Sequence, residues 1–150
     1  METTVEGVNI LADEPRRIDG APDWFNDSRQ AGWKLFEGLA MPSRKDEEWR
    51  FAKLRHLDFK KIKLPDSSGG QESRGTKGLD KCAARFVFVN DCLTQRENNL
   101  PAEVICLPLL EALEKHSELL QQYFMKAEAR LGSAKFAALH KAHVSSGMFI

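Results

Sequence analysis

Along residues 1–21 apolar side chains recur at neither the helical nor the strand interval. Pro15, Gly20 and scattered charges lead us to expect a flexible arm over that span, anchored by Ile10 and Leu11. From Pro22 the pattern becomes helical. The fixed φ of Pro22 suits a first helical position, and Asp23 places negative charge where the helix dipole favours it. Trp24, Ser28, Ala31, Leu35 and Leu39 then recur at steps of four and three, with Phe25, Gly32 and Phe36 alongside. This spacing predicts an amphipathic helix of about 17 residues, ended by Met41-Pro42.

Ser43 suits the cap of a short helix, with Asp46 three residues on as a capping-box partner. Trp49 and Phe51 follow amid charges, then Leu54, Leu57 and Phe59, and Lys60-Lys61-Ile62-Lys63 alternates in strand fashion. Over 65–81 Gly and Ser dominate. Such a stretch has too little apolar surface to offset its ordering entropy, so a mobile loop is expected. Arg85-Phe86-Val87-Phe88-Val89-Asn90 is the strongest strand signal, and Glu103-Val104-Ile105-Cys106 is a second, shorter one.

A helix is expected from Pro108, with Leu109, Leu110 and Leu113 on one face. Ser117 recaps a continuation through Leu120, Tyr123 and Phe124, and Gly132-Ser133 breaks it. Ser133 caps a last helix through Phe136, Ala137, His140, His143 and Val144, with Gly147 fitting its C-terminal end. The apolar Met148-Phe149-Ile150 reads as a strand that either pairs locally or begins a further part of the polypeptide, and the second is the expectation. The resulting class is α+β: a mostly helical domain over 22–147 with a small strand pair. Trp24, Leu35, Phe36, Trp49, Leu54, Phe86, Phe88, Leu110, Leu113 and Phe136 are the expected core.

Composition narrows the function. The 150 residues suit one domain. The 22 Lys and Arg balance 22 Asp and Glu, which argues against a general polyanion-binding surface. The exception is Arg44 to Lys63, where eight basic side chains face four acidic ones. With Trp49, Phe51 and Phe59 available to stack on bases, this strip makes a small nucleic-acid-binding module the alternative reading; the charge balance elsewhere weighs against it. The longest apolar stretch, Val104 to Leu110, is interrupted by Pro108 and falls short of the roughly 20 residues a membrane span needs. No secretory pattern opens the sequence, so a cytoplasmic location is expected.

Chemistry is sparse. Cys82, Cys92 and Cys106 are odd in number and widely spaced, which points to reduced, partly buried thiols rather than zinc ligands or a disulfide framework. His140 and His143 share a helical face by spacing, but two histidines do not complete a zinc site; His56 and His116 stand alone. Asp46, Glu47 and Glu48 diverge around a helix and cannot converge on one bond as catalytic carboxylates must. No phosphate-binding loop or nucleophile elbow is present. We expect no enzyme activity, and no catalytic, cofactor-binding or metal-binding residue.

Pro42-x-Arg44-Lys45-Asp46-Glu47-Glu48-Trp49-Arg50-Phe51-x-x-Leu54-x-x-Leu57 resembles the N-terminal region of SufD-like members of the SufB/SufD family, components of the SUF iron–sulfur cluster assembly system. Trp24, Arg29, Ala31, Phe36 and Leu39 resemble that family's first helix. Phe86 to Asn90, Leu109 to Leu120, Phe136-Ala137-Ala138-Leu139-His140-x-Ala142 and Gly147-x-Phe149-Ile150 continue the likeness in order, so it covers roughly residues 22 to 150. Phe51-Ala52 stands where Tyr-Thr is usual in the family, and His143 where an aromatic is common.

The resemblance implies a β-helix core absent from this chain, with 148–150 as its start. It places SufB pairing, SufC docking and the residues linked to cluster assembly in those later parts, so no functional residue carries over and no cofactor is expected here. What remains is an accessory or scaffold domain acting through protein–protein contacts. Its expected partners are SufB- and SufC-like proteins reached through the parent protein, and sulfur-delivering proteins met at a face built from Lys45, Glu48, Trp49 and Arg50.

Overall fold

The computed structural model describes residues 9–52, 81–89, 92–127 and 133–150. Leu54, His56, the Lys60–Lys63 strip and all but the last residue of the 65–81 loop lie outside them. Among the described residues the chain forms a small α+β fold of four α-helices and two two-stranded antiparallel sheets.

Helix α1 runs Asp23–Gly38, starting one residue later than expected, because Pro22 has an extended ψ of 150° and is the N-cap rather than the first helical residue. Leu39 closes the other end, with its N–H on the carbonyls of Leu35 and Phe36. The buried side carries Phe25, Asn26, Arg29, Gly32, Trp33 and Phe36, while Ala31 faces solvent and Leu35 is 54% exposed. The stripe through Ala31 and Leu35 is therefore not the core face. The neighbouring stripe wins because it buries three aromatic rings, each a larger apolar area than Ala or Leu.

Two core clusters sit along α1. Near its start, Phe25 packs with Leu109, Ala112 and Leu113 of α2 (Leu109–Lys115), Leu120 of α3 (Ser117–Tyr123) and Val144. Near its end, Trp33 and Phe36 pack with Ala138, Leu139 and Ala142 of α4 (Ala134–His143). Gly32 lets the α1 and α4 backbones meet: a Cβ there would lie 2.9 Å from the Ala142 nitrogen and 3.1 Å from the Ala138 oxygen.

Ser133 caps α4 as expected, accepting from the Lys135 N–H at 3.1 Å. Ser117 does not cap α3. His116 holds that position, and Ser117 Oγ instead accepts the Trp24 indole N–H at 2.8 Å. A lone N–H in a buried ring needs an acceptor, and this tertiary demand displaces the local cap. Leu110 is 48% exposed, because Leu109, Ala112 and Leu113 form the inner face of α2.

Strand β1 (Ala84–Val89) pairs antiparallel with β2 (Cys92–Asn98), with Val89 opposite Cys92 and an irregularity between Val87 and Phe88. Glu103–Cys106 is not a strand; Val104 N donates to Pro101 O in a turn, and Cys106 is buried. The partner sequence CLTQREN is largely polar and exposed. It pairs through its backbone next to β1, so hydrophobic patterning misses it. Phe88 is exposed, at 36%, against the expectation that it is a core residue, and Phe86 is only half-buried, because the polar β2 and not a second apolar layer lies beside β1.

The second sheet joins β3 (Leu107–Pro108) to β4 (Met148–Phe149). Residues 148–149 thus pair locally with the chain leading into α2. Gly147, at φ 152°, does not terminate α4, whose C-cap is Val144; its carbonyl accepts from Leu109 N at 3.0 Å as β4 begins.

Candidate partner-docking face

After α1, Ser43 and Asp46 close a reciprocal turn. Ser43 N donates to Asp46 Oδ2 at 2.7 Å, and Lys45 N donates to Ser43 Oγ at 3.2 Å. Asp46 then opens a single 3₁₀ turn, Glu47–Trp49. Ser43 and Asp46 thus interact as expected, but in a turn ahead of the helix: the N-cap is Asp46 and not Ser43, and its side chain makes no cap bond.

A three-residue turn points successive side chains in different directions. Trp49 faces inward, half-buried, with its ring 5.6 Å from that of Phe136 on α4. Lys45, Glu48 and Arg50 face outward. Arg50 pairs with Glu47 at 3.1 Å, and its guanidinium lies over the Phe51 ring at 4.6 Å. Arg44 Nε donates to the Arg50 carbonyl at 3.3 Å. Trp49 is thus the anchor of this face and not a free contact residue; the exposed aromatic is Phe51, at 84%. Its solvent-facing role carries no signal in the hydrophobic pattern, where it reads as a second core ring. Of the basic strip, only 44–52 is described, and there Arg50 is already engaged by Glu47.

The same end of α1 is fixed by Lys135. Its Nζ donates to the Phe36 and Leu39 carbonyls at 2.9 and 2.6 Å and sits 4.2 Å from the Phe36 ring centroid. Carbonyls at a helix C-terminus are left short of intrahelical donors; the Phe36 carbonyl has only a long 3.4 Å bond from Leu39 N, so one ammonium group completes the end of α1 and ties it to α4.

Along α1, toward the 9–21 arm, lie buried polar groups. Asn26 is 2% exposed and brackets the arm, accepting from Ile18 N at 2.9 Å and donating to Ile18 O and Ala21 O at 3.2 and 3.3 Å. Arg29 Nη1 donates to Arg16 O at 2.6 Å, and Gln30 Nε2 to Pro15 O at 3.1 Å. Ile10 and Leu11, the expected anchors, pack on the Trp33–Phe36 cluster.

His143 is buried against Trp33, ring edge to face at 5.7 Å, whereas His140 is exposed. The two do not share one half-buried face, because α4 turns only its Ala138, Leu139, Ala142 and His143 side inward. Neither His143 ring nitrogen has a hydrogen-bond partner among the described residues. Burial, then the Arg29 charge, lowers its pKa, while the Ile10 backbone and Asp13 pull weakly the other way. Burial likewise lowers that of Arg29.

An open cavity of about 800 Å³ separates the β1–β2 hairpin from α2 and α4, walled by Phe88, Leu93, Leu110, Phe136, Leu139 and Val144. Arg96 of β2 reaches across to Glu111 of α2 at 2.7 Å. Cys82 is exposed, Cys92 half-buried and Cys106 buried; all three are free thiols, and burial of the set is less complete than expected. His116 lies near Phe149, with ring centroids 6.2 Å apart. Asp46, Glu47 and Glu48 are solvent-exposed. Among the described residues no group of three or more His, Cys, Asp or Glu side chains is placed to hold a metal ion, and no helix is long and apolar enough to cross a membrane.

Compared with protein-family models, with curated proteins and with solved structures, the chain matches none.

Proposed function

We propose that this chain is a non-catalytic accessory and scaffold module of a SufD-like component of the cytoplasmic SUF iron–sulfur cluster assembly complex, acting through protein–protein contacts. The observation that carries the reading is the seating of Trp49 on Phe136. The Glu47-Glu48-Trp49 block and the Phe136–Ala142 segment are two separate parts of the resemblance, and they meet in space. Trp49 holds the turn while Phe51, flanked by Lys45, Glu48 and Arg50, faces outward. An exposed aromatic ringed by charged groups is the composition of a small interface: an apolar anchor with a polar rim.

SufB- and SufC-like proteins are then reached through the β-helix core implied beyond Gly147. A sulfur-delivering protein is the partner for the Lys45–Phe51 face. No membrane and no nucleic acid enters this function.

The test uses the full-length parent protein. Phe51→Ala combined with Arg50→Glu should weaken capture of the sulfur-delivering partner by about fivefold or more, the effect of losing one anchor worth over 1 kcal/mol. Deleting residues 1–145 should reduce partner assembly and solubility together. A deletion protein equal to the intact one in solubility, pull-down and cluster delivery defeats the reading.

A further inference from the structure

The arm over 9–21 closes on the buried imidazole of α4. Arg29 and Gln30 of α1 hold the Arg16 and Pro15 carbonyls, Asn26 holds Ile18, and Ile10 and Leu11 cover the Trp33–Phe36 cluster. His143 lies against Trp33 beneath this cover, and among the described residues neither of its ring nitrogens nor the Nε of neighbouring Arg29 has a hydrogen-bond partner. We propose that the arm is a proton-operated clasp: with His143 neutral it closes over α1 and α4, and a proton on His143 releases it.

The charges around the ring decide the direction. From α1, Arg29 is a buried cation with its Nη1 committed to Arg16 O. From α4 itself the nearest titratable neighbours are His140 and Lys141, which add no negative charge. From the arm, Asp13 is the one opposing carboxylate; it is exposed, and its Oδ2 already accepts from Asn9 N at 2.7 Å. Across the shared cavity, Cys92 is a thiol and Glu111 is held by Arg96 and Lys115. A proton on His143 therefore sets a second positive charge beside Arg29, opposed among the described residues only by the Ile10 backbone and the exposed Asp13, which rank behind burial and Arg29, and burying a poorly paired charge is costly.

Burial and Arg29 hold the imidazole below its ordinary value. The open state, with water at the ring, binds the proton more readily. Closure is accordingly full above about pH 6.5 and is lost as pH falls below it. The part of the arm nearest His143 yields before the helices do, because Ile10 and Leu11 pack only at the margin of the Trp33–Phe36 cluster while Ile18 and Ala21 pack on the Phe25 cluster, whereas separating α1 from α4 breaks a core cluster. Opening uncovers Trp33 and Phe36.

Hydrogen exchange on the full chain tests this at about pH 7.5 and about pH 5.5, with each rate taken relative to the unstructured rate at the same pH. The Ile18 amide, bonded to Asn26 Oδ1 of α1, and the Ala12 and Asp13 amides, bonded to Asn9 O in the arm's own turn, report opening; interior α1 amides serve as the reference. Arm opening should rise several-fold, up to about tenfold, the ceiling for one proton taken up at an ordinary imidazole pKa between those values. His143→Phe should remove the rise while keeping the ring contact with Trp33; His143→Gln gives the same reading if the larger ring perturbs folding. The proposal is overturned if the wild-type arm responds to neither pH, if both variants keep the wild-type rise, or if the α1 reference amides rise by the same factor.

Discussion

The two ends of α1 solve the same packing problem differently. Around Phe25 the neighbours are apolar and the polar groups are matched: the Trp24 indole to Ser117 Oγ, and Asn26 to the Ile18 and Ala21 backbone. Around Trp33 and Phe36 the helices touch backbone to backbone at Gly32, and the space beside them holds a guanidinium and an imidazole with unmatched nitrogens. Unmatched buried polar atoms weaken a site by about 1–3 kcal/mol each. The first end is therefore built for stability, and the second has capacity to rearrange. Both lie on one helix, so the contrast comes from what each half meets and not from helix propensity.

The largest break should come at the first end. Phe25 and Leu113 are 0% and 1% exposed, and Phe25→Ala or Leu113→Ala should each cost about 3–5 kcal/mol by urea denaturation, through lost burial and a residual cavity. Gly32→Ala probes the second end. Alanine gains up to about 1 kcal/mol of helix propensity, but its Cβ meets backbone atoms that cannot rotate away. We expect net destabilisation of about 1–3 kcal/mol, read as a lower melting temperature. A stabilised Gly32→Ala protein would show that α1 and α4 part easily.

Trp24→Phe sharpens the picture of the first end. It keeps most of the ring and its edge contacts with Phe25 and Phe124 but deletes the indole donor. A loss of about 0.5–1.5 kcal/mol is expected in the same denaturation assay. Leu35→Ala is the smallest change: at 54% exposure it should stay within about 0.5 kcal/mol of wild type. A large loss there would restore the Trp24–Leu35 stripe as a core face.

That last variant marks where the sequence was legible. The α+β class, the existence of α1, β1 and the helices after Pro108, and the Ser133 cap follow from local periodicity and capping chemistry. The inward face of α1 does not, since two adjacent stripes are both apolar and only α4 and the arm choose between them. β2 was hidden because CLTQREN is mostly polar and pairs through its backbone; the strand at Met148-Phe149 was legible, but its pairing was not, because its partner lies about forty residues earlier, at Leu107–Pro108. At the candidate face, Lys45, Glu48, Trp49 and Arg50 were legible as a group. Their division into an inward anchor and an outward rim was not, because it depends on Phe136. Asn26, Arg29 and His143 read as surface residues by type; their burial is decided by the arm.

The Lys135 cap has a consequence for how the chain is made. The group that completes α1 arrives 99 residues after Phe36, and the acceptor for the Trp24 indole arrives 93 residues after it. During synthesis at about 5–20 residues per second, α1 emerges roughly 5–20 s before the side chains that finish it. Over that interval it is a short helix of marginal stability in water, with Trp33 and Phe36 uncovered and a long loop still to close. Among the described residues, the helix that is made first is thus among the last to be secured, and on the nascent chain its aromatic face awaits α4 for cover.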